Sequence, residues 1–189
     1  MKIGILGGTF NPVHIGHLIL AEEIREKVGL DKIIFVPTYL PPHKDNSEIA
    51  QACDRFKMLK MAVKGNKHFS ISDIEIKRKG ESYTIDTVKQ FKHNYPKDEL
   101  YFITGSDLLK YLDAWKDFLE ILKLVKFVVA TRPGYPLESI PSHISTVSIR
   151  AVDVSAFEVR EAAREGKSFR YLVPEQVYNY ITRRKLYRK

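Results

Sequence analysis

Short apolar runs that alternate with amphipathic stretches constrain the fold of this chain more than any other feature. The predicted strands cover residues 2–6, 32–36, 70–76, 100–104, 126–130 and 146–149. The predicted helices cover residues 17–28, 54–64, 84–93, 107–112, 117–124, 156–165 and 175–186. Strands that are apolar almost throughout and are separated by helices favour a parallel sheet covered on both faces. We therefore expect an α/β fold with a doubly wound parallel sheet.

Length and charge narrow the class of protein. We expect residues 1–189 to form a single domain, because 189 residues fit one domain of ordinary size. The one cysteine, Cys53, excludes an internal disulfide, and no stretch approaches the roughly 18–20 apolar residues of a membrane span. These features, with no secretory pattern at the start, favour a cytoplasmic protein with no membrane partner. A net charge of +8 favours polyanionic ligands, either nucleic acid or phosphate-bearing metabolites.

The loop after the first predicted strand has the most distinctive sequence. Residues 7–17 read Gly-Gly-Thr-Phe-Asn-Pro-Val-His-Ile-Gly-His. Ligands of parallel sheets bind at the carboxyl ends of the strands, and glycines there let the backbone approach a phosphate. The loop matches neither the dinucleotide fingerprint nor the P-loop. His14 and His17 have a spacing that also occurs in metal sites, but no Glu lies between them and no third ligand is near. We favour phosphate donation over a metal site or two capping histidines.

Further distinctive segments follow residues 7–17 along the sequence. They are Pro41-Pro42-His43-Lys44, Ser82-Tyr83-Thr84-Ile85-Asp86-Thr87, Ile103-Thr104-Gly105-Ser106-Asp107, Trp115 and Thr131-Arg132-Pro133-Gly134. With residues 7–17 they resemble the nucleotidylyltransferases that carry an H-x-G-H motif, and within them the bacterial nicotinate-mononucleotide adenylyltransferases. The resemblance implies a Rossmann-like sheet and an enzyme of NAD biosynthesis. Such enzymes transfer AMP from ATP to nicotinate mononucleotide and release pyrophosphate, with Mg²⁺ accompanying ATP.

The resemblance also implies roles for individual residues. His14, His17 and Arg160 would be catalytic and would hold ATP phosphates. The remaining ATP contacts would come from Gly8, Thr9, Phe10, Gly105, Asp107 and Ser155. The mononucleotide would contact Lys44, Thr84, Asp107, Trp115 and Arg132. From the residues alone, Thr84 and Asp107 also suit helix caps, and Trp115 also suits a core aromatic. We expect no protein-held metal.

The chain departs from the family pattern at four positions. Asn11 replaces a common Asp, Lys116 replaces a frequent aromatic, and Ala156 and Phe157 replace a Ser and a Thr. The lost hydroxyls weaken the expected phosphate contacts, and Lys116 leaves the recognition of nicotinate open. Two alternatives remain: a sister enzyme acting on phosphopantetheine or the amide mononucleotide, and a non-catalytic basic module. The basic run 183–189 favours a solvated helix end, with weak nucleic-acid contact as the alternative, and we expect no nucleic-acid partner. A homodimer is a further expectation.

Overall fold

The computed structural model describes residues 1–42, 48–131, 144–150 and 152–188. Its strands are β1 (Lys2–Gly8), β2 (Lys32–Pro37), β3 (Phe69–Ile71), β4 (Glu99–Gly105), β5 (Lys126–Thr131) and β6 (Ile144–Ser148). All six lie in one parallel sheet, in the order β3-β2-β1-β4-β5-β6. The predicted α/β class with a doubly wound, Rossmann-like sheet is confirmed.

The described residues also form seven α-helices and one 3₁₀ helix, and α6 and α7 follow the last strand. The α-helices are α1 (Ile15–Val28), α2 (Ala52–Val63), α3 (Ile74–Arg78), α4 (Thr84–Asn94), α5 (Phe118–Leu124), α6 (Ala156–Arg164) and α7 (Glu175–Arg184), and the 3₁₀ helix is Ser106–Ala114. No helix within the described ranges is long and apolar enough to cross a membrane.

Alternating side chains of the strands fill two separate hydrophobic layers. In β2, Ile33 and Phe35 pack into the layer that holds α1, α2, α6 and α7. Ile34 and Val36 pack into the layer on the opposite face, with α4 and α5. This alternation follows from the two-residue period of a strand, and burial on both faces explains why the strands contain few polar residues.

The structure corrects the predicted strand over residues 70–76. Only Phe69–Ile71 pairs with β2, and Ile74–Arg78 forms α3. The isoleucines at positions 71, 74 and 76 suggest a strand, but Ile74 is buried from a helix that packs on the sheet. Several ends also differ by a few residues: α2 begins at Ala52, before the predicted start at residue 54, and Thr84 is the first residue of α4 and not its cap.

The sheet changes winding direction between β1 and β4. From β1 the chain proceeds outward through β2 to β3, and it then returns to the other side of β1 with β4 and continues outward. The loops that leave the carboxyl ends of β1 and β4 therefore diverge to opposite faces and leave a crevice between them. Ligands of open α/β sheets bind at such a switch point.

Candidate active site

A cavity of about 640 Å³ occupies this crevice, and we call it the first cavity. The loop after β1 contributes Gly8, Thr9, Phe10, His14 and His17 to its wall. Gly105 comes from the end of β4, and Ser155 and Arg160 come from the start of α6. These eight residues were all predicted as ATP contacts, and the structure brings them to one cavity although they span most of the chain.

The two histidines form the entrance of α1. His14 is the N-cap residue, and its backbone N–H donates to Nδ1 of His17 at 3.2 Å. The two ring centroids are 3.7 Å apart. Because Nδ1 of His17 accepts a hydrogen bond, the neutral ring carries its proton on Nε2. His17 can therefore present an N–H donor, next to a helix N-terminus that attracts anions.

Glycines make room for the packed rings of this loop. A Cβ atom on Gly8 would lie 3.0 Å from Cζ of Phe10, and one on Gly16 would lie 3.1 Å from Cε1 of His14. Phe10 is almost fully buried, adopts a left-handed φ of 47° and packs edge-on to His17 with centroids 5.0 Å apart. The absence of a side chain at Gly8 and Gly16 therefore leaves room for the rings of Phe10 and His14.

Ser155 caps α6 and pairs with Glu158. The Glu158 backbone N–H donates to the Ser155 hydroxyl at 3.2 Å, and the Ser155 backbone N–H donates to the Glu158 carboxylate at 2.8 Å. The second bond holds the pKa of Glu158 below its ordinary value. A phosphate that binds at Ser155 must displace this carboxylate, a competition that the family pattern did not indicate.

Arg160 reaches the wall of the first cavity from the first turns of α6. One Nη1 hydrogen of Arg160 is donated to the backbone oxygen of Asn11 at 3.0 Å. Its Nε is buried and finds no partner among the described residues. The guanidinium also lies 5.8 Å from the ring centroid of Phe157, which takes the place of the missing threonine. Arg160 is thus oriented by Asn11 while donors remain for a phosphate.

A second cavity of about 200 Å³ adjoins the first. The two share the wall residues Gly7, Gly8, Thr9, Thr104 and Leu108. The remaining wall of the second cavity combines apolar or aromatic side chains with polar ones, and it includes the predicted mononucleotide contacts Thr84 and Trp115. Lys44 and Arg132 lie outside the described residues, as does the side chain of Asp107, so their predicted roles stay predictions.

Trp115 packs as a core aromatic, one of the two roles weighed from its sequence, and its contact with the mononucleotide stays a prediction. Its ring packs edge-on to Phe102 and Phe127, with centroids 5.8 and 5.9 Å apart, within the core on that face. It is only partly buried and lines the second cavity. Its neighbour Lys116 lines the same cavity, with Nζ 4.7 Å from the ring centroid of Tyr83.

A buried polar network lies behind the start of α4. The Thr87 hydroxyl donates to Glu75 Oε1 at 2.6 Å and accepts from Arg78 Nη2 at 3.1 Å. Burial raises the pKa of Glu75, whose side chain also lines the second cavity. The network ties α3 to α4 and so fixes where Thr84 stands.

Arg55 is a functional candidate that the sequence analysis missed. It is 1% exposed and donates to three backbone oxygens: Nη1 to Thr9 at 2.7 Å, Nη2 to Tyr39 at 3.0 Å and Nε to Ala50 at 2.9 Å. Burial lowers the pKa of this guanidinium. The three oxygens belong to the loop after β1, the loop after β2 and the segment before α2, so one side chain holds together three parts of the cavity walls.

Asn11 is a second such junction. Its Nδ2 donates to the backbone oxygen of Glu48 at 3.1 Å. Its Oδ1 accepts from the Ala50 backbone N–H at 3.0 Å and from the Tyr187 hydroxyl at 2.9 Å. The amide satisfies both a donor and an acceptor, which a carboxylate cannot do. This accounts for Asn at a position where the family pattern has Asp.

The described residues contain no group of three or more His, Cys, Asp or Glu side chains placed to hold a metal ion. The first cavity is lined by one described carboxylate, Glu48, and otherwise by N–H and hydroxyl groups together with apolar side chains. Such donors fit phosphate oxygens.

Comparison with known proteins agrees with this arrangement. The sequence pattern of the family described as Cytidylyltransferase-like matches residues 5–162, which include both histidines and Arg160. The chain belongs to the cytidylyltransferase-like family. Two relatives show which members of this family the chain resembles.

The nicotinate-nucleotide adenylyltransferase of Bacillus subtilis (strain 168) is 40% identical to this chain over 186 residues, which are 98% of each sequence. A Desulfitobacterium hafniense (strain Y51) protein named "Probable nicotinate-nucleotide adenylyltransferase" is 42% identical over 198 residues, covering 99% of this chain and 96% of that protein. These relatives confirm the family resemblance drawn from the motifs.

A solved structure gives independent support for the fold of this cytidylyltransferase-like chain. Plasmodium falciparum nicotinic acid mononucleotide adenylyltransferase, complexed with NaAD, superimposes with a TM-score of 0.82 at 20% identity. The match covers 98% of this chain and 97% of that one. The architecture is therefore retained where most side chains differ.

Proposed function

We propose that the two adjoining cavities hold the two substrates of one adenylyl transfer, ATP in the first and nicotinate mononucleotide in the second. The enzyme class and reaction predicted from the sequence are confirmed by the relatives, which are named for that activity. The chain forms nicotinate adenine dinucleotide and pyrophosphate, in NAD biosynthesis. The observation that carries the assignment of the cavities is their common wall at Gly7, Gly8 and Thr9, where the reacting phosphates would meet.

The reaction needs alignment more than it needs a base. An oxygen of the mononucleotide phosphate bonds to the α-phosphorus of ATP, the bond from that phosphorus to the oxygen bridging the β-phosphorus breaks, and pyrophosphate leaves with the electron pair. A phosphate monoester has a second pKa of about 6, so the attacking oxygen is already anionic at neutral pH. What the protein supplies is orientation and stabilisation of charge.

His14, His17 and Arg160 are placed for that task. The predicted Nε2–H of His17 and the remaining N–H groups of Arg160 would donate to the triphosphate, and the start of α1 adds favourable electrostatics. In the second cavity, the face of Trp115 would stack on the pyridine ring, and the start of α4 at Thr84 would favour its carboxylate.

Mg²⁺ would enter this site as a partner of ATP. The first cavity offers phosphate donors and a single described carboxylate, which fits an ion held chiefly by the phosphates themselves. When bound there, Mg²⁺ would neutralise charge on the pyrophosphate that leaves. A cytoplasmic location, a homodimer and the lack of nucleic-acid binding also remain our predictions.

The direct test is turnover with defined substrates. The purified chain is incubated with ATP, Mg²⁺ and either nicotinate mononucleotide, nicotinamide mononucleotide or phosphopantetheine, and pyrophosphate and the product are followed. We expect fastest release with nicotinate mononucleotide, together with formation of the dinucleotide. Preferred use of phosphopantetheine, or no release with either mononucleotide, would contradict the proposed function.

A further inference from the structure

Charge is sparse in the wall of the second cavity. Among the described residues of this wall, Lys116 is the one basic side chain and Glu75 the one acidic side chain. Around them lie uncharged groups, both apolar or aromatic ones such as Phe102 and Trp115 and hydroxyl-bearing ones such as Ser82. A carboxylate that enters such surroundings loses hydration, and this is unfavourable unless cations or N–H donors replace the lost water.

Lys116 is held at the wall of this cavity. Its Nζ lies 4.7 Å from the ring centroid of Tyr83, a distance at which an aromatic face attracts an ammonium group. Tyr83 is the residue immediately before α4, and its hydroxyl is anchored by donation to the Glu81 carboxylate. The ammonium group therefore lies against the side chain of the residue that precedes α4, and Lys116, Tyr83 and Thr84 line the same cavity.

The charge of Lys116 is available to a ligand. No ion pair joins Lys116 to an acidic side chain within the described part of the chain. Glu75, the other charged group of the wall, is buried, and its Oε1 already accepts from the Thr87 hydroxyl. Burial raises the pKa of Glu75, and the Thr87 hydroxyl and the charge of Arg78 act in the opposite direction.

We propose that Lys116 selects the acid form of the pyridine mononucleotide over the amide form. The ammonium group attracts the pyridine carboxylate of nicotinate mononucleotide, and it gains no comparable attraction from the neutral carboxamide of nicotinamide mononucleotide. The inference rests on the proposed function and names the group that sets its substrate preference. It also assigns a role to a position at which this chain departs from the family pattern.

The test compares Lys116→Met with Lys116→Arg and a control, Lys123→Met. Lys123 is an exposed lysine of α5 that lines neither cavity, so its loss changes net charge equally. We expect K116M to lower kcat/KM for nicotinate mononucleotide about three- to tenfold, mainly through KM, as befits a partly exposed ion pair. The amide substrate should change by less than about twofold. K116R should restore most of the preference, and K123M should leave it intact.

A binding measurement separates failure of this inference from failure of the proposed function. Trp115 is the one tryptophan of the sequence, so its fluorescence reports occupancy of the second cavity without ATP or turnover. In the wild type, nicotinate mononucleotide should bind more tightly than the amide, and K116M should narrow this difference. Equal loss of affinity for both mononucleotides, or no loss for either, would overturn the role of Lys116 even if the enzyme proved inactive.

Discussion

At the scale of single residues, the site depends on groups with two duties. His17 closes the first turn of α1 by accepting the His14 N–H on Nδ1, so that the neutral ring carries its proton on Nε2, and the same side chain lines the first cavity. Trp115 packs against Phe102 and Phe127 while it lines the second cavity. In each residue, the contact that supports the fold also orients the group that lines the cavity. We therefore expect substitution to reduce catalysis more than it reduces the stability of the fold.

Replacing His17 with alanine tests the first of these residues. We expect H17A to lower kcat by about 10²–10³, the usual cost of removing one donor from a developing phosphoryl charge. The circular dichroism spectrum should stay that of the wild type, because the rest of α1 is unchanged. His93→Ala is the control, since His93 is exposed on α4 and lines neither cavity. Wild-type turnover by H17A would remove His17 from the mechanism.

At the scale of elements, buried cross-links hold the loops that form the cavities. Arg55 joins backbone oxygens from three segments, and Asn11 joins two of those segments to Tyr187. The reacting atoms of two substrates must lie within about 3–3.5 Å of each other, and a shift of about 1 Å can cost 10²-fold in rate. The loops after β1 and β2 therefore need a fixed separation, which Arg55 provides.

Replacing Arg55 with lysine tests this cross-link. One ammonium group cannot reach three divergent oxygens, so we expect kcat to fall about 10- to 100-fold. The KM for each substrate should change much less, because each cavity keeps its own contacts. Leu59→Ala is the matched control: it removes a buried side chain of the same helix and should cost about 2–5 kcal/mol of stability. If both variants melt earlier but only L59A keeps wild-type kcat at low temperature, positioning is supported.

A second link between elements gives a pH dependence. Glu23 on α1 is buried and pairs with Arg150, which follows β6, and with Lys27 on its own helix. These partners, Arg150 first, lower the pKa of Glu23 from 4.5 to about 2. A carboxyl whose pKa is depressed on folding stabilises the protein above its unfolded pKa and loses that contribution as pH falls through the folded value.

Replacing Glu23 with glutamine tests this pH dependence of stability. At pH 7 this variant should unfold at lower urea concentration than the wild type, and the difference should shrink as pH falls from 4.5 toward about 2. Glu26→Gln is the control, because Glu26 is an exposed carboxylate on the same helix. A difference that stays constant between pH 7 and pH 2 would show that Glu23 acts through packing and not through its charge.

Sequence patterns reach the parts of this structure that are locally encoded. The periodicity of short apolar runs predicts the sheet, and residues 7–17 predict the loop that lines the first cavity, because the glycines, the histidines and the start of α1 are neighbours in sequence. Arg55 escapes such reasoning, since an arginine between Asp54 and Phe56 looks like part of a solvated helix face. Its burial depends on three backbone oxygens from distant segments. The prediction of a strand over residues 70–76 is wrong for a similar reason, because Ile74 is buried against the sheet from a helix.

At the scale of the whole molecule, the positive charge should help to collect its substrates. The chain carries a net charge of +8, and both proposed substrates are polyanions. We expect kcat/KM for ATP to fall several-fold as KCl rises from about 0.05 to about 0.5 M, because screening shortens the range of attraction to a few Å. Sucrose at equal osmolality should have little effect. An efficiency independent of salt would show that the site's own donors, and not the overall field, govern ATP capture.

The central position of β1 has a consequence for how the protein is made. β1 is synthesised long before β4, yet one of its two edges pairs with β4, which begins at Glu99. Until that segment emerges, the growing polypeptide exposes an apolar strand edge that can recruit other unfolded chains. The central edge of the sheet is therefore completed only after the β4 segment has been made, and a chain that ends before Arg160 lacks part of the wall of the first cavity.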